Sequence, residues 1–132
     1  MAQKSATVAI CNNNKLLLLR RGRSAPWKPG HYCLPGGKKE GDESLIDCAI
    51  RELKEETDIT ISDKNTLTPH SITYNSTYSK IVFFTKLTDP SVVLNWEHDH
   101  YIWMDHRSMN DFLMVPGLPT TIRHLVTNGL LM

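Results

Sequence analysis

Three glutamates near the end of one predicted helix are the residues of this sequence best suited to chemistry. Apolar residues recur at three- and four-residue spacing and predict a helix over about 44–57, which contains Glu52, Glu55 and Glu56. At about 100° per residue the three carboxylates fall within roughly a 100° arc, so they project from one face. Because like charges repel each other and the C-terminal end of a helix is itself negative, the cluster needs a compensating cation.

A divalent metal ion is the compensator that these oxygen ligands favour, and Mg²⁺ or Mn²⁺ suits them. We expect Arg51 and Lys54 to point to other parts of the helical wheel. The alternative is an acidic face in water, where runs of charge are usually found. A metal site is favoured because an apolar arc beside the glutamates holds them at the edge of the core. The Gly36-Gly37 loop also lets backbone approach the helix closely, as a phosphate-binding cleft requires.

The elements that must position this helix are short strands and two further helices. The Asn12-Asn13-Asn14 run predicts a tight hairpin, Ser108 predicts the start of a short helix, and Pro119 predicts the start of a last helix that ends near Asn128-Gly129. Strands are predicted at 6–11, 15–20, 31–34, 67–74, 79–87 and 101–104. This order predicts an α/β fold in which a mixed sheet is packed between helices.

Composition limits the classes of protein. The chain has 132 residues and a net charge of +1, enough length for one core, so we expect a single domain over 1–132. The balanced charge gives no field for steering onto nucleic acid or an anionic membrane. No apolar run could cross a bilayer and no leader is evident, so we expect a cytoplasmic protein. Three cysteines without a CxxC pair predict reduced, buried thiols.

A fixed pattern of spaced residues runs from the glycine loop to just beyond the helix. It consists of Gly37, Glu43, Arg51-Glu52, Leu53, Glu55-Glu56 and Ile59. In this pattern the sequence resembles the Nudix hydrolases, the MutT-like nucleoside diphosphate-X pyrophosphohydrolases. Every defining position of their motif matches except the final glycine, where Asp58 stands. Aspartate adopts a left-handed backbone conformation at modest cost, so we expect a slightly destabilised or shifted turn and an intact metal site.

The resemblance implies a fold and an activity. The fold is a Nudix-type α/β/α sandwich. The activity is metal-dependent hydrolysis of a pyrophosphate bond, in a nucleoside triphosphate or in a nucleoside diphosphate linked to another group, by attack of water on phosphorus. Mg²⁺, for which Mn²⁺ could substitute, would be bound by three carboxylates and by the carbonyl of one of the two glycines: Glu52, Glu55, Glu56 and Gly37 or Gly36.

The resemblance also assigns supporting and catalytic roles. Arg51 would pair with Glu43 and orient the helix and its loop. The general base would be either Glu52 or Glu97, a choice that the sequence leaves open. Glu97 begins the run Glu97-His98-Asp99-His100, in which two histidines at i and i+2 of a strand would share a face. We discount a zinc site there because no third or fourth ligand is evident.

Substrate-binding residues are expected to flank the motif. Arg20, Arg23 and Lys38 are candidates for contacts with phosphate, together with the backbone of Gly36. Six aromatic residues could stack on a base, although aromatic residues on strands are more often part of the core: Trp27, Tyr32, Tyr74, Tyr78, Phe84 and Trp96. The sequence singles out none of them.

Two other functions remain open. The same fold could serve as a catalytically silent sensor of a nucleotide or of ADP-ribose, because fold does not guarantee activity. The complete carboxylate set argues against that alternative. An RNA 5′-end pyrophosphohydrolase would share the chemistry but needs a basic path for RNA, which the near-neutral charge does not support. The expected partner is therefore a small nucleotide, with no nucleic acid or membrane, and a homodimer is possible by analogy with the family.

Overall fold

A computed structural model describes residues 5–76 and 78–132. This part of the chain contains seven strands and two α-helices, and two short 3₁₀ helices lie at Lys64–Thr66 and His106–Asp111. The main elements are β1 (Ser5–Asn12), β2 (Lys15–Arg21), β3 (Tyr32–Cys33), β4 (Gly36–Lys38), α1 (Leu45–Thr57), β5 (Thr68–Asn75), β6 (Tyr78–Lys86), β7 (His98–Met104) and α2 (Leu118–Thr127).

The strands form one mixed sheet around β1. This strand pairs antiparallel with β2 and β4 and parallel with β6, and β5 pairs antiparallel with β6. β3 and β7 both pair antiparallel with β2. The β1–β2 hairpin turns through Asn13 and Asn14, whose φ angles of 51° and 61° are the left-handed values that asparagine tolerates. The predicted hairpin and mixed sheet are therefore confirmed.

Helices cover both faces of this sheet. Successive side chains of a strand point to opposite faces, and β2 shows the consequence. Leu16 and Leu18 pack in a core cluster with α2 residues, whereas Leu17 and Leu19 pack in a second cluster with α1 residues. All four leucines are fully buried. The predicted α/β fold, with the sheet between helices, is confirmed.

The ends of α1 fix the orientation of the glutamate face. Ser44 caps the helix, because its side chain accepts a hydrogen bond of 3.1 Å from the backbone N–H of Asp47. Asp58 follows the last turn with φ of 62°, the left-handed conformation expected of a residue in the glycine position. Its backbone N–H donates to the carbonyl of Lys54 at 3.0 Å, and its carboxylate lies 2.7 Å from the Lys54 ammonium.

Three local predictions need correction. β7 begins at His98 rather than Tyr101, because it continues to pair with β2 as far as Arg21. The helix predicted from Ser108 is a 3₁₀ helix that begins at His106, because the carboxylate of Asp105 caps it. The Gly36-Gly37 loop, or glycine loop, includes the short strand β4, because both glycines pair with β1.

The remaining composition-based predictions concern cysteines and membranes. All three cysteines are free and buried, as predicted. Within the described ranges, we find no helix with the length and apolar character needed to cross a membrane.

Candidate active site

A cavity of about 780 Å³ lies beside the glutamate end of α1. Its lining includes two groups of residues, one on the side nearest α1 and one on the side nearest α2. The α1-side wall consists of Gly36, Gly37, Glu52, Glu55 and Glu56. The α2-side wall consists of residues from β1, β5, β6 and the start of α2: Thr7, Tyr74, Lys80, Gly117 and Thr121.

Glu56 is the most deeply placed of the three helix glutamates. It is only 3% exposed, and its Oε1 accepts a hydrogen bond of 2.9 Å from the backbone N–H of Gly36. Burial raises the pKa of Glu56 to about 9, against the lowering effect of the Gly36 hydrogen bond, and the negative charges of Glu52 and Glu97 add to the increase. A cation beside this carboxylate would reverse that balance and favour its charged form.

Glu52 and Glu55 are progressively more exposed. The side chain of Glu52 is 12% exposed, and burial raises its pKa although Arg51 opposes this effect. The side chain of Glu55 is 50% exposed. The three carboxylates lie along one helix face, as the periodicity predicts. Their exposure to solvent increases from Glu56 through Glu52 to Glu55.

Arg51 does not point away from the glutamates, so that prediction is wrong. Its Nη1 donates to Glu52 Oε1 at 2.9 Å and to Glu55 Oε2 at 3.1 Å. A long side chain can bend across the helix surface to an (i, i+4) neighbour, which an angular projection does not represent. Lys54 does point away, because it pairs with Asp58. Arg51 therefore already supplies part of the positive charge that we assigned to a metal ion.

The same guanidinium forms a two-pronged pair with Glu43. Nε and Nη2 of Arg51 donate to Glu43 Oε2 and Oε1 at 3.1 and 2.8 Å, and Nη2 also donates to the Lys38 carbonyl at 3.0 Å. These Arg51 hydrogen bonds are the main reason that the pKa of Glu43 is lowered to about 2, and the Glu40 backbone N–H contributes. Arg51 thus ties the glycine loop to α1, the contact that the family resemblance implies.

Close approach of the glycine loop requires the absence of side chains. A Cβ on Gly37 would lie 2.5 Å from the carboxyl carbon of Glu52, and a Cβ on Gly36 would lie 2.3 Å from the carbonyl oxygen of Ala6. Any larger residue at position 37 would displace the Glu52 carboxylate. The Gly37 carbonyl lies 3.5 Å from the Cys48 thiol, which donates to it.

The donor set fits a hard divalent cation. It consists of carboxylate oxygens with a backbone carbonyl nearby, the ligands that Mg²⁺ and Mn²⁺ prefer. The buried Glu56 carboxylate forms no ion pair with another described residue. A bound cation would supply the positive charge that stabilises its ionised form. Over residues 5–76 and 78–132, no group of three His, Cys, Asp or Glu side chains is already gathered around one metal position. Arg51 occupies one oxygen of Glu52 and both oxygens of Glu55.

Glu97 and His98 also line this cavity. Glu97 accepts a hydrogen bond of 3.3 Å from the Asn95 side chain. His98 is 5% exposed, and its Nε2 lies 3.6 Å from the Cys33 thiol. Burial lowers the pKa of His98.

His98 and His100 do not share a strand face, so the reasoning that paired them is wrong. A bulge in β7 pairs His98 with Arg21 and His100 with Arg20, which are consecutive residues of β2 and point to opposite faces. His100 is exposed, whereas His98 lies in the cavity. The geometry gives no support to a zinc site at this pair.

The α2-side wall contains functional candidates that the sequence analysis missed. Lys80 lines the cavity on the same face of β6 as the core residues Val82 and Phe84, and burial lowers its pKa. Thr7 is 9% exposed, and its hydroxyl finds no hydrogen-bond partner among the described residues. Lys80 lies inside the strand rather than at its end and has the parity of the apolar residues Val82 and Phe84, which is the signal that could have identified it.

Tyr74 and α2 complete this wall. The Tyr74 hydroxyl lies 2.8 Å from Thr121 Oγ1, a hydrogen-bond distance. A Cβ on Gly117 would lie 3.0 Å from Tyr74 Cε1, and φ of Gly117 is 89°, so both contact and backbone favour glycine there. The ring therefore stands between β5 and the start of α2.

The predicted phosphate-binding residues divide into two sets. Lys38 and Gly36 line the cavity. Arg20 and Arg23 do not: Arg20 pairs with Asp99 at 2.7 Å on the other face of β2, and Arg23 is an exposed turn residue. Arg21, the neighbour of Arg20 on β2, lines the cavity instead.

The fold and the site together define an α/β protein whose acidic helix and glycine loop border one cavity. This chain belongs to the NUDIX domain family, because the model of that family matches residues 1–125. The resemblance stated from the motif is therefore confirmed.

Named relatives add detail. The m7GpppN-mRNA hydrolase NUDT17 of Danio rerio is 48% identical over 50 residues, which are 38% of this chain and only 17% of that protein. A crystal structure of a Caenorhabditis elegans Ap4A hydrolase binary complex is similar with a TM-score of 0.72 and 28% identity, and the match covers 94% of this chain and 96% of that one. The MutT protein of Methanosarcina mazei Go1 matches with a TM-score of 0.63 and 26% identity, over 98% and 97% of the two chains.

Proposed function

We propose that this protein hydrolyses a pyrophosphate bond in a nucleotide derivative, using a divalent metal ion. The observation that carries the proposal is the pairing of a wall rich in carboxylates with a half-buried lysine, Lys80, in one cavity. A polyphosphate needs both metal ions and positively charged side chains, because its oxygens gain further charge in the transition state.

Glu52, Glu55 and Glu56 would hold Mg²⁺, with Mn²⁺ as a substitute. When bound, the metal would neutralise phosphate oxygens and lower the pKa of the attacking water. Lys38 and Lys80 would contact the phosphate chain from other parts of the cavity. Arg51 and Glu43 would position α1 against the glycine loop and would not touch the substrate.

Glu97 is our choice of general base over Glu52. Glu52 has one oxygen engaged by Arg51, and it is one of the proposed metal ligands. Glu97 lines the cavity from the start of β7 and forms no ion pair with any other described residue. Its charge contributes to the raised pKa values of Glu52 and Glu56, which is consistent with its lying near the same reaction centre.

The substrate class that we favour is a pair of nucleosides joined by a polyphosphate. Both m7GpppN and Ap4A, in the names of the two relatives, denote compounds of this kind. The match to the Ap4A hydrolase covers nearly all of both chains, whereas the match to the mRNA hydrolase covers 17% of that protein. The net charge of +1 also gives no support to an RNA path. We therefore propose a small dinucleoside polyphosphate as substrate, with residues 1–132 acting as one catalytic unit.

A substrate panel tests this proposal. Purified protein is incubated with diadenosine tetraphosphate, nucleoside triphosphates, ADP-ribose, NADH, nucleotide sugars and capped RNA, each with Mg²⁺, with Mn²⁺ and with excess chelator. We expect metal-dependent release of a nucleoside monophosphate together with the phosphorylated remainder of the substrate, fastest from the dinucleoside polyphosphate. Binding without turnover on every substrate would favour the silent sensor and would contradict the proposal.

A further inference from the structure

We propose that Trp27 is the stacking platform for a nucleobase of the substrate, an inference that rests on the proposed function for its ligand class. Trp27 lines the 780 Å³ cavity and is 50% exposed, a large aromatic surface left open where a ligand would enter. Every nucleobase has a π-face, so an exposed ring at this position can bind one without hydrogen-bond readout.

The structure separates Trp27 from the other aromatic candidates. Tyr32 and Phe84 are buried in the core, at 9% and 5% exposure. Trp96 is exposed but does not line the cavity. The side chain of Tyr78 lies outside the described residues. Tyr74 does line the cavity, but its hydroxyl is bonded to Thr121 and its ring packs beside Gly117.

Arg21 holds the Trp27 ring in place. The Arg21 guanidinium carbon lies 5.4 Å from the centre of the ring, a cation–π contact, and Arg21 Nε donates a hydrogen bond to the Trp27 carbonyl. With the cation on one face, a base would stack on the other. A ring that is already ordered loses little conformational entropy when a ligand binds to it.

Backbone hydrogen bonds anchor the loop that carries this ring. The Gly30 N–H donates to the Arg21 carbonyl at 2.8 Å, and the Arg21 N–H donates to the His31 carbonyl at 2.9 Å. The Gly22 N–H donates to the Glu97 carbonyl at 3.0 Å. The loop is thus tied to β2 and to Glu97, the proposed general base. The position of the Trp27 ring is therefore fixed relative to the reaction centre.

The test compares two ligands that differ only by the base, AMP and ribose 5-phosphate, by calorimetry in the presence of Mg²⁺. We expect the wild type to bind AMP more tightly than ribose 5-phosphate. Trp27→Ala should weaken AMP binding about 5- to 150-fold, the equivalent of about 1–3 kcal/mol for one stacked base, and leave ribose 5-phosphate unchanged. Trp27→Phe should restore part of the difference.

Trp96→Ala is the matched control, because it removes an exposed indole that does not line the cavity. It should bind both ligands as the wild type does. The inference is overturned if the wild type does not prefer AMP, or if Trp27→Ala keeps that preference. This assay measures binding and needs no turnover. If no substrate of the panel is hydrolysed, the proposed activity is rejected, but the binding assay still tests whether Trp27 stacks on the base.

Discussion

The α1-side wall and the α2-side wall of the cavity differ in charge and in how the chain assembles them. The first carries three glutamates, and its residues lie between positions 36 and 56. The second carries Lys80 and the hydroxyls of Thr7, Tyr74 and Thr121, which span positions 7 to 121. One wall is local in sequence, whereas the other depends on the pairing of β1, β5 and β6 and on the docking of α2.

Because of this difference, the two walls suit different roles, cation binding and polyanion binding. The α1-side wall offers oxygen ligands for a cation, and its geometry is fixed within one helix and one loop. The α2-side wall offers hydrogen-bond donors and a positive charge, which suit a polyanion. Variation in the second wall could change the substrate without altering the metal chemistry, because catalytic and recognition groups lie on separate elements.

The strongest test of the α1-side wall is Glu56→Gln. Removing the most deeply buried carboxylate charge should lower kcat/KM by about three orders of magnitude or more, because several kcal/mol of charge stabilisation by the metal would be lost. The melting temperature should not fall, because the pKa of about 9 means that the native protein without metal already holds this group neutral at pH 7. Activity is measured by phosphate-containing product release, and Asp111→Asn, an exposed carboxylate away from the cavity, is the control. Turnover at the wild-type rate would contradict the metal assignment.

Gly37→Ala tests whether this wall depends on close backbone approach. The new Cβ would lie 2.5 Å from the Glu52 carboxyl group and must displace it. A displacement of about 1 Å at a reaction centre can lower the rate about a hundredfold, and we expect a loss in kcat of that order. Gly22→Ala is the matched control, since its Cβ would meet only ordinary contacts, the nearest at 3.4 Å. Equal activities of the two variants would show that activity does not depend on the close approach of the Gly37 backbone to Glu52.

Lys80→Met tests the α2-side wall and should weaken substrate binding without lowering stability. Loss of a charged contact to phosphate should raise KM about 10- to 100-fold. The melting temperature should stay level or rise, because burial lowers the pKa of Lys80 and so disfavours its charged form in the native state. Lys86→Met, at the exposed end of the same strand, should change neither value. An unchanged KM for Lys80→Met would show that Lys80 does not contact the substrate.

Sequence reasoning succeeded where the site is local. Helix periodicity and motif spacing place Glu52 and Glu56 on one face, and both side chains line the cavity. Sequence reasoning failed where a contact depends on long-range strand pairing or on how a long side chain bends. The opposite faces of His98 and His100 follow from a bulge in β7, which no local pattern indicates. The contact of Arg51 with Glu55 depends on side-chain flexibility rather than on the angle at which the residue leaves the helix.

The smallest expected effect concerns the docking of α2 on β5, which supports the α2-side wall. The rings of His70 and His124 lie 5.5 Å apart at 74°, and the Nε2 atoms of both are buried without a hydrogen-bond partner among the described residues. Burial, with a smaller contribution from His124, lowers the pKa of His70 below the ordinary histidine value of about 6.5. Stability from a neutral His70 is therefore fully present above about pH 6.5 and is lost as pH falls, because the unfolded chain then binds a proton more readily.

His70→Gln should accordingly reduce the loss of unfolding free energy between pH 7 and pH 5, measured by denaturant titration at several pH values. His100→Gln removes an exposed histidine and should keep the wild-type pH dependence. kcat at pH 7 should be nearly unchanged in both variants, since neither residue lines the cavity. If His70→Gln retained the full pH dependence, buried His98 would become the leading source of it, since burial lowers its pKa as well. The pH sensitivity of the fold would then lie beside Glu97 and not in the docking of α2.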